Sequence, residues 1–249
     1  MKRRVAVTGL GVVSPLGTTV AATWEAMVAG KSGAGPITRF DPAALSVKFA
    51  CEVKGFDPGL YLDKKEARRY DLFAQFAMGA AVQAVNDACL DKSWDGIDLH
   101  RVGVIIGTGT GGIATFEENM RAYLEKGPGR VSPFFVPMFM ANVAAAVVSM
   151  RYGAKGPNYC TVSACATSGH SLGDAFRLIQ HNEADVMIAG GSEAAITPLA
   201  LASFANMKAL SERNDDPQTA SRPFDKDRDG FVMGDGAAVV ILEEWEHAK

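Results

Sequence analysis

Apolar positions in this chain fall into short Val/Ile runs without polar alternation, separated by stretches of helical length. Buried strands are predicted at residues 4–7, 102–106, 159–162, 186–189 and 237–242. The first is expected to end at Gly9 and Gly11, and the fourth to enter Gly190 and Gly191. Residues 47–53 fit a strand or an extended excursion. Helices are predicted over 19–28, 63–69, 72–90, 114–124, 137–150, 165–180 and 199–210, with one more starting at Glu243. The segment 72–90 is apolar on almost all sides, which marks a helix buried on most faces. Residues 205–228 turn polar and read as loop. Strands alternating with helices predict an α/β fold, with a mixed, mostly parallel sheet covered by helices on both faces. No repeat, low-complexity tract or linker divides the 249 residues, so they read as one domain or one half of a larger one.

Composition narrows the function classes. A chain that is 48% hydrophobic and 21% charged can bury a substantial core and is not disordered as a whole. With 25 basic against 28 acidic residues, no charge-driven nucleic-acid binding is expected. The four cysteines (Cys51, Cys89, Cys160 and Cys165) form no CxxC pair and are too sparse for a disulfide scaffold. A reducing, cytoplasmic environment is expected. Lys2-Arg3-Arg4 before Val5-Ala6-Val7 has the look of a signal peptide's opening, but Thr8, Gly9, Gly11 and Pro15 break the apolar run. No stretch approaches the ~18 apolar residues of a membrane helix, so no membrane partner is expected.

Two motifs are discounted on spacing. Gly107-x-Gly109-x-x-Gly112 follows a strand and precedes a helix, as in dinucleotide-binding turns, and Gly9-x-Gly11 weakly does so too. Neither is followed by a second strand ending in an acidic residue at the right distance, so tight turns and close packing explain them better. Asp225-x-Asp227-x-Asp229-Gly230 matches the opening of a calcium loop, but Gly236 stands where a bidentate Glu is required. No metal is expected.

The segment from Thr161 to His170 carries the chemistry. A β-branched strand meets small residues, then Cys165, then a helix start. A thiol there faces unpaired N–H groups and the positive end of the helix dipole, which favours the thiolate. The same N–H groups can receive a developing oxyanion. The other three cysteines read as buried structural residues. His170 lies about 140° around the helix from Cys165 and is a poor direct base. His181, His100 and His247 are no better placed by sequence.

Around Cys165 the sequence resembles the elongating β-ketoacyl-acyl carrier protein synthases, enzymes of the thiolase fold. The resemblance spans the chain: residues 4–11, Gly107-Thr108-Gly109-Thr110-Gly111-Gly112, Ser132-Pro133-Phe134-Phe135-Val136-Pro137, Ala164-Cys165, Ala189-Gly190-Gly191-Ser192-Glu193, Ser221-Arg222-Pro223-Phe224-Asp225 and residues 228–236. It implies a decarboxylating Claisen condensation. Cys165 would take an acyl chain from acyl carrier protein, and the carbanion from malonyl-carrier protein would then attack that thioester. The backbone N–H of Cys165 would form one arm of the oxyanion hole. No cofactor is implied.

The resemblance also places Thr110 at the acyl-pocket gate, where the family usually has a larger apolar residue. Phe204 and Phe231 match pocket or gate positions, and Phe135 a residue reaching into the partner subunit's pocket. Lys65, Arg68, Arg69, Arg130 and Lys208 match the basic surface that receives the carrier protein. Without the resemblance, the three Phe residues read as core and the cations as a solvated face. The family is built of two similar halves, acts as a dimer, and keeps two catalytic His, a supporting Lys and a second oxyanion N–H in its second half. On that basis this chain is expected to be the nucleophile half of a longer enzyme, unable to condense alone. A non-catalytic module for dimerisation or carrier docking, and a thiolase using coenzyme A thioesters, are the alternatives.

Overall fold

The computed structural model describes residues 2–90, 94 and 96–249. A five-stranded sheet runs in the order β1 (Val5–Val13), β7 (Gly236–Glu244), β6 (Val186–Glu193), β4 (Val102–Gly107) and β5 (Asn158–Tyr159). The β5–β4 and β4–β6 pairings are parallel, and β6–β7 and β7–β1 are antiparallel. The sheet is therefore evenly mixed rather than mostly parallel. β2 (Gly35–Pro36) and β3 (Phe49–Ala50) pair in a separate short ribbon. The expected 47–53 strand shrinks to β3 plus a bridge from Cys51 to Gly234.

Helices cover both faces, as expected. α3 (Leu72–Asp87) lies across β1 and β7, with α6 (Val143–Tyr152) beside it on β4. Its Phe73, Phe76 and Met78 are buried in the main core, each worth about 1.5–3 kcal/mol over exposure. α7 (Thr167–Gln180) covers the opposite face, where Ala175 and Ile179 pack on Ile105, Met187 and Ala189. α1 (Val20–Val28) starts at Thr19, whose side chain accepts from the Ala22 N–H. α2 (Lys64–Ala67) opens with a capping box between Asp63 and Glu66. α4 (Ile113–Lys126) follows the glycine-rich loop, and α8 (Pro198–Asn206) follows β6. A satellite cluster packs Ala200 and Leu201 of α8 on Ile37, Val47 and Phe49.

Several predicted boundaries move, each for a tertiary reason. β1 runs through Gly9 and Gly11 instead of ending there. A Cβ at Gly11 would lie 1.8 Å from the Ala80 carbonyl oxygen, and one at Gly9 2.1 Å from that of Ala84. These glycines let α3 lie directly on the strand. β6 likewise continues through Gly190, where a Cβ would lie 2.0 Å from the Ala238 oxygen. The predicted 137–150 helix is two pieces, α5 (Phe135–Phe139) and α6. The Gly112 N–H donates to the Phe139 carbonyl at 3.1 Å, and Met140 is extended. The 159–162 strand stops at Tyr159, because Thr161 turns to bond Ser171 and the Thr167 carbonyl on α7. No helix begins at Glu243. That residue stays in β7, paired with Ala6 and Val186, buried, and bonded to Thr8 and His247.

At the entrance to β6, Asp185 gathers Arg101 and Arg3. Arg101 Nη2 donates to its carboxylate at 2.9 Å and Arg3 Nη2 at 2.5 Å. Arg101 first, and Arg3 with it, hold this carboxyl down at about 2. Its stabilising contribution is therefore present above the ordinary carboxylate range and is lost as pH falls through about 2. Between pH 5 and pH 2.5, wild type should lose more urea stability than Asp185→Asn. Parallel losses in the two proteins would contradict this assignment.

Candidate active site

Cys165 stands at the junction of a 3₁₀ turn (Ala164–Ala166) and α7. The predicted helix started at Cys165 itself; the α-helix in fact begins two residues later, at Thr167. Ala164 holds φ of 49°, a left-handed conformation that costs a non-glycine residue about 1–2 kcal/mol. The surroundings enforce it. The Ser163 N–H donates to Thr167 Oγ1 at 2.8 Å, and the Ala166 N–H donates to the Ser163 carbonyl at 3.1 Å. Ser163 Oγ also bonds His170 Nδ1. The turn lifts the Cys165 thiol to the surface at the amino end of a 14-residue helix.

The other thiols sit differently. Burial pushes Cys51 and Cys160 up from the ordinary thiol range. Cys89 is exposed rather than buried, just past the carboxyl end of α3, where its thiol lies 3.9 Å from the Asp87 carbonyl oxygen. Limiting iodoacetamide followed by peptide mapping should label Cys165 first. Earlier labelling of any other cysteine would remove it as the nucleophile.

Cys165 opens into a cavity of about 640 Å³. Thr110, Phe204 and Phe231 line it too, with Glu193 and Asp235. Phe204 and Phe231 meet edge to face at 5.6 Å. Three of the four pocket residues implied by the resemblance thus converge on one space with the cysteine. Phe135 does not line it. It stacks on Phe139 at 5.6 Å and lies 6.3 Å from Phe116.

None of the four histidines lines the cavity. His170 is occupied by Ser163, His247 by Glu243 at 2.8 Å, and His181 ends α7. Among the described residues, no cluster of His, Cys, Asp or Glu is arranged to hold a metal. Asp225, Asp227 and Asp229 instead organise their own loop. Asp225 accepts from the Asp227 N–H at 2.8 Å, and Asp229 from the Glu212 N–H at 3.1 Å.

The five cations are all exposed. Lys65, Arg68 and Arg69 share α2 and its end, and Arg69 lies 5.1 Å above the Phe134 ring. Arg130 sits on a 3₁₀ turn before α5, while Lys208 follows α8 and pairs with Glu212 at 3.6 Å. No helix among the described residues is long and apolar enough to cross a membrane.

Sequence reasoning assigned no role to Glu193 or to the Ser163–His170 pair. An acidic residue closing an otherwise apolar strand was the available signal for the first. The second depends on the turn bringing residues seven apart together.

Comparison with known proteins places the chain in a family. The family described as "Beta-ketoacyl synthase, N-terminal domain" matches residues 2–248. The 3-oxoacyl-[acyl-carrier-protein] synthase 2 of Coxiella burnetii is 54% identical over 248 residues, covering 100% of this chain and 59% of that enzyme. A β-ketoacyl synthase structure from Burkholderia phymatum superimposes with a TM-score of 0.89 at 32% identity, over 100% of this chain and 60% of that one. A ketosynthase solved with its type II PKS acyl-carrier protein superimposes at 0.86 and 34% identity, again over 100% and 60%. This chain therefore spans about three fifths of the length of the proteins it matches.

Proposed function

The chain belongs to the β-ketoacyl synthase family, as that family's N-terminal domain, and from that premise we propose that it supplies the nucleophile of a decarboxylating Claisen condensation in fatty acid elongation. The observation that carries this reading is the exposed Cys165 at the start of α7, opening into a cavity with Thr110, Phe204 and Phe231. The Cys165 thiolate attacks the carbonyl of an acyl-carrier protein thioester, and the carrier's thiol leaves with the proton. The Cys165 N–H is one arm of the hole for the tetrahedral oxyanion. Malonyl-carrier protein then loses CO₂, and its carbanion attacks the Cys165 thioester. The product is a 3-oxoacyl-carrier protein two carbons longer, and Cys165 is regenerated.

The condensation half-reaction needs groups that polarise the malonyl carbonyl. By resemblance these are two His, a Lys and a second N–H in a C-terminal half that packs against this one. The outer face of α7 suits that packing. Phe176 is exposed there, and a Cβ at Gly169 or Gly173 would meet nothing within 4 Å. Thr110, Phe204 and Phe231 hold the acyl chain. Phe135 reaches a partner subunit's pocket in a homodimer. Lys65, Arg68, Arg69, Arg130 and Lys208 receive the acidic carrier protein, in a cytoplasmic setting and without a cofactor.

Intact mass spectrometry tests the first step. Incubation with acyl-carrier protein should add one acyl group to the chain, and Cys165→Ser should abolish it. Addition that survives the substitution, or appears with acyl-coenzyme A but not with the carrier, would overturn the reading. Reversing Arg68 and Arg69 to Glu should weaken carrier binding about fivefold or more at low ionic strength and less at high salt. Equal affinity at low salt would return both residues to an ordinary solvated face.

A further inference from the structure

The loop from Thr108 to Gly112 forms part of the wall beside Cys165 and holds three glycines, at 109, 111 and 112. Glycine leaves a chain with more accessible conformations than any other residue, so such a loop has no intrinsic shape. Its ends are set by packing. A Cβ at Gly107, just before it, would strike the Thr167 methyl at 2.2 Å, and one at Gly112 the Met138 carbonyl at 2.5 Å. Its centre has a different anchor. The Glu193 carboxylate, at the end of β6, accepts from the Gly109 N–H at 2.6 Å and the Thr110 hydroxyl at 2.5 Å. The Thr108 hydroxyl donates to it at 3.1 Å and in turn accepts from the Gly111 N–H at 3.1 Å. One carboxylate thus gathers donors from three consecutive residues, and a relay extends to a fourth.

The loop lies between this carboxylate and the nucleophile turn. A Cβ at Gly109 would lie 2.9 Å from Glu193 Oε2 and 3.8 Å from Ala164 Cα. Glu193, Thr110 and Cys165 all line the same cavity. We infer that Glu193 is a positioning residue, whose carboxylate holds the 108–110 loop as the wall against which the acyl chain lies as Cys165 attacks. This rests on the acyl-transfer reading above. Glu193 touches neither the thiol nor the carbonyl in this scheme. It acts by fixing where Thr110 stands, through the hydrogen bonds it accepts from residues 108–110.

Glu193→Gln is the test, because it keeps the shape while turning an amide NH₂ toward N–H and O–H donors. Two rates are measured on the folded chain: acylation of Cys165 by decanoyl- and acetyl-carrier protein, and alkylation by iodoacetamide, which needs no acyl wall. Decanoyl transfer should fall about tenfold or more, as expected for a misplaced reaction partner. Acetyl transfer should fall less, and alkylation should not slow. If the Gln variant does not fold, Thr110→Val removes a single donor at constant shape and should give a loss of about threefold in the same order. Decanoyl transfer at the wild-type rate would overturn the inference. So would alkylation falling in parallel, since Glu193 would then support the nucleophile turn itself. Absence of acyl transfer in the wild-type chain would overturn the reading beneath it, which separates the two failures.

Discussion

Gly11→Ala should leave little or no folded protein. The added methyl carbon would sit 1.8 Å from the Ala80 carbonyl oxygen, and its next neighbours are also backbone atoms of α3. No flexible side chain can move aside, so relief requires α3 to shift off β1. That helix carries much of the main core, with Phe73, Phe76, Ala77 and Ala80 all at 0–1% exposure. A destabilisation of about 3 kcal/mol or more is expected, at the upper end of overpacking effects. Gly30→Ala is the control. Gly30 has φ of +65° but open space around it, so only the backbone strain of about 1–2 kcal/mol should appear. Urea midpoints followed by circular dichroism would rank the two. Equal midpoints would show that α3 is not seated on β1 as described.

Arg39→Ala should be nearly as damaging, with a characteristic pH dependence. Asp235 has a fully buried side chain paired with Arg39, and it also accepts from the Ile196 N–H at 3.2 Å. Burial pushes its carboxyl up to about 6 while Arg39 pulls it down, and Glu52 opposes the charge from nearby. A carboxyl raised in the folded state stabilises the fold below the ordinary carboxylate range, and that stabilisation is lost as pH rises through about 6. Arg39 already holds that value down, so its removal would push the carboxyl higher still. Without Arg39, ionisation leaves an uncompensated buried charge, a defect of about 3 kcal/mol or more. The variant should therefore approach wild-type stability at pH 5 and fall well below it at pH 8. A deficit that is constant across this range would assign Arg39 a packing role only. Asp235 also lines the Cys165 cavity, so the same pair ties the β2–β3 connection to the site.

The α/β class, helices on both sheet faces and the candidate nucleophile Cys165 were legible in the residues alone, because each is a local signal. Unalternated Val and Ile runs mark β4 and β6 whatever surrounds them, and the apolar surface of α3 requires burial on most sides. A cysteine between small residues and a helix start marks itself as a candidate site residue. Partner geometry is not local. Gly9, Gly11 and Gly190 read as strand ends, yet they lie inside strands, because only the folded chain brings the carbonyls of α3 and β7 against them. Glu243 read as a helix start, but it has strands on both sides and stays in the sheet. The mixed sheet follows from how β7 inserts between β1 and β6, which no run of residues encodes by itself. Thr110, Phe204 and Phe231 are separated by up to 121 positions in the 249-residue sequence and meet Cys165 only in the cavity. Glu193 shows the same limit at the site: its acid is visible in the sequence, but the three donors that give it a task come from a loop 83–85 residues earlier.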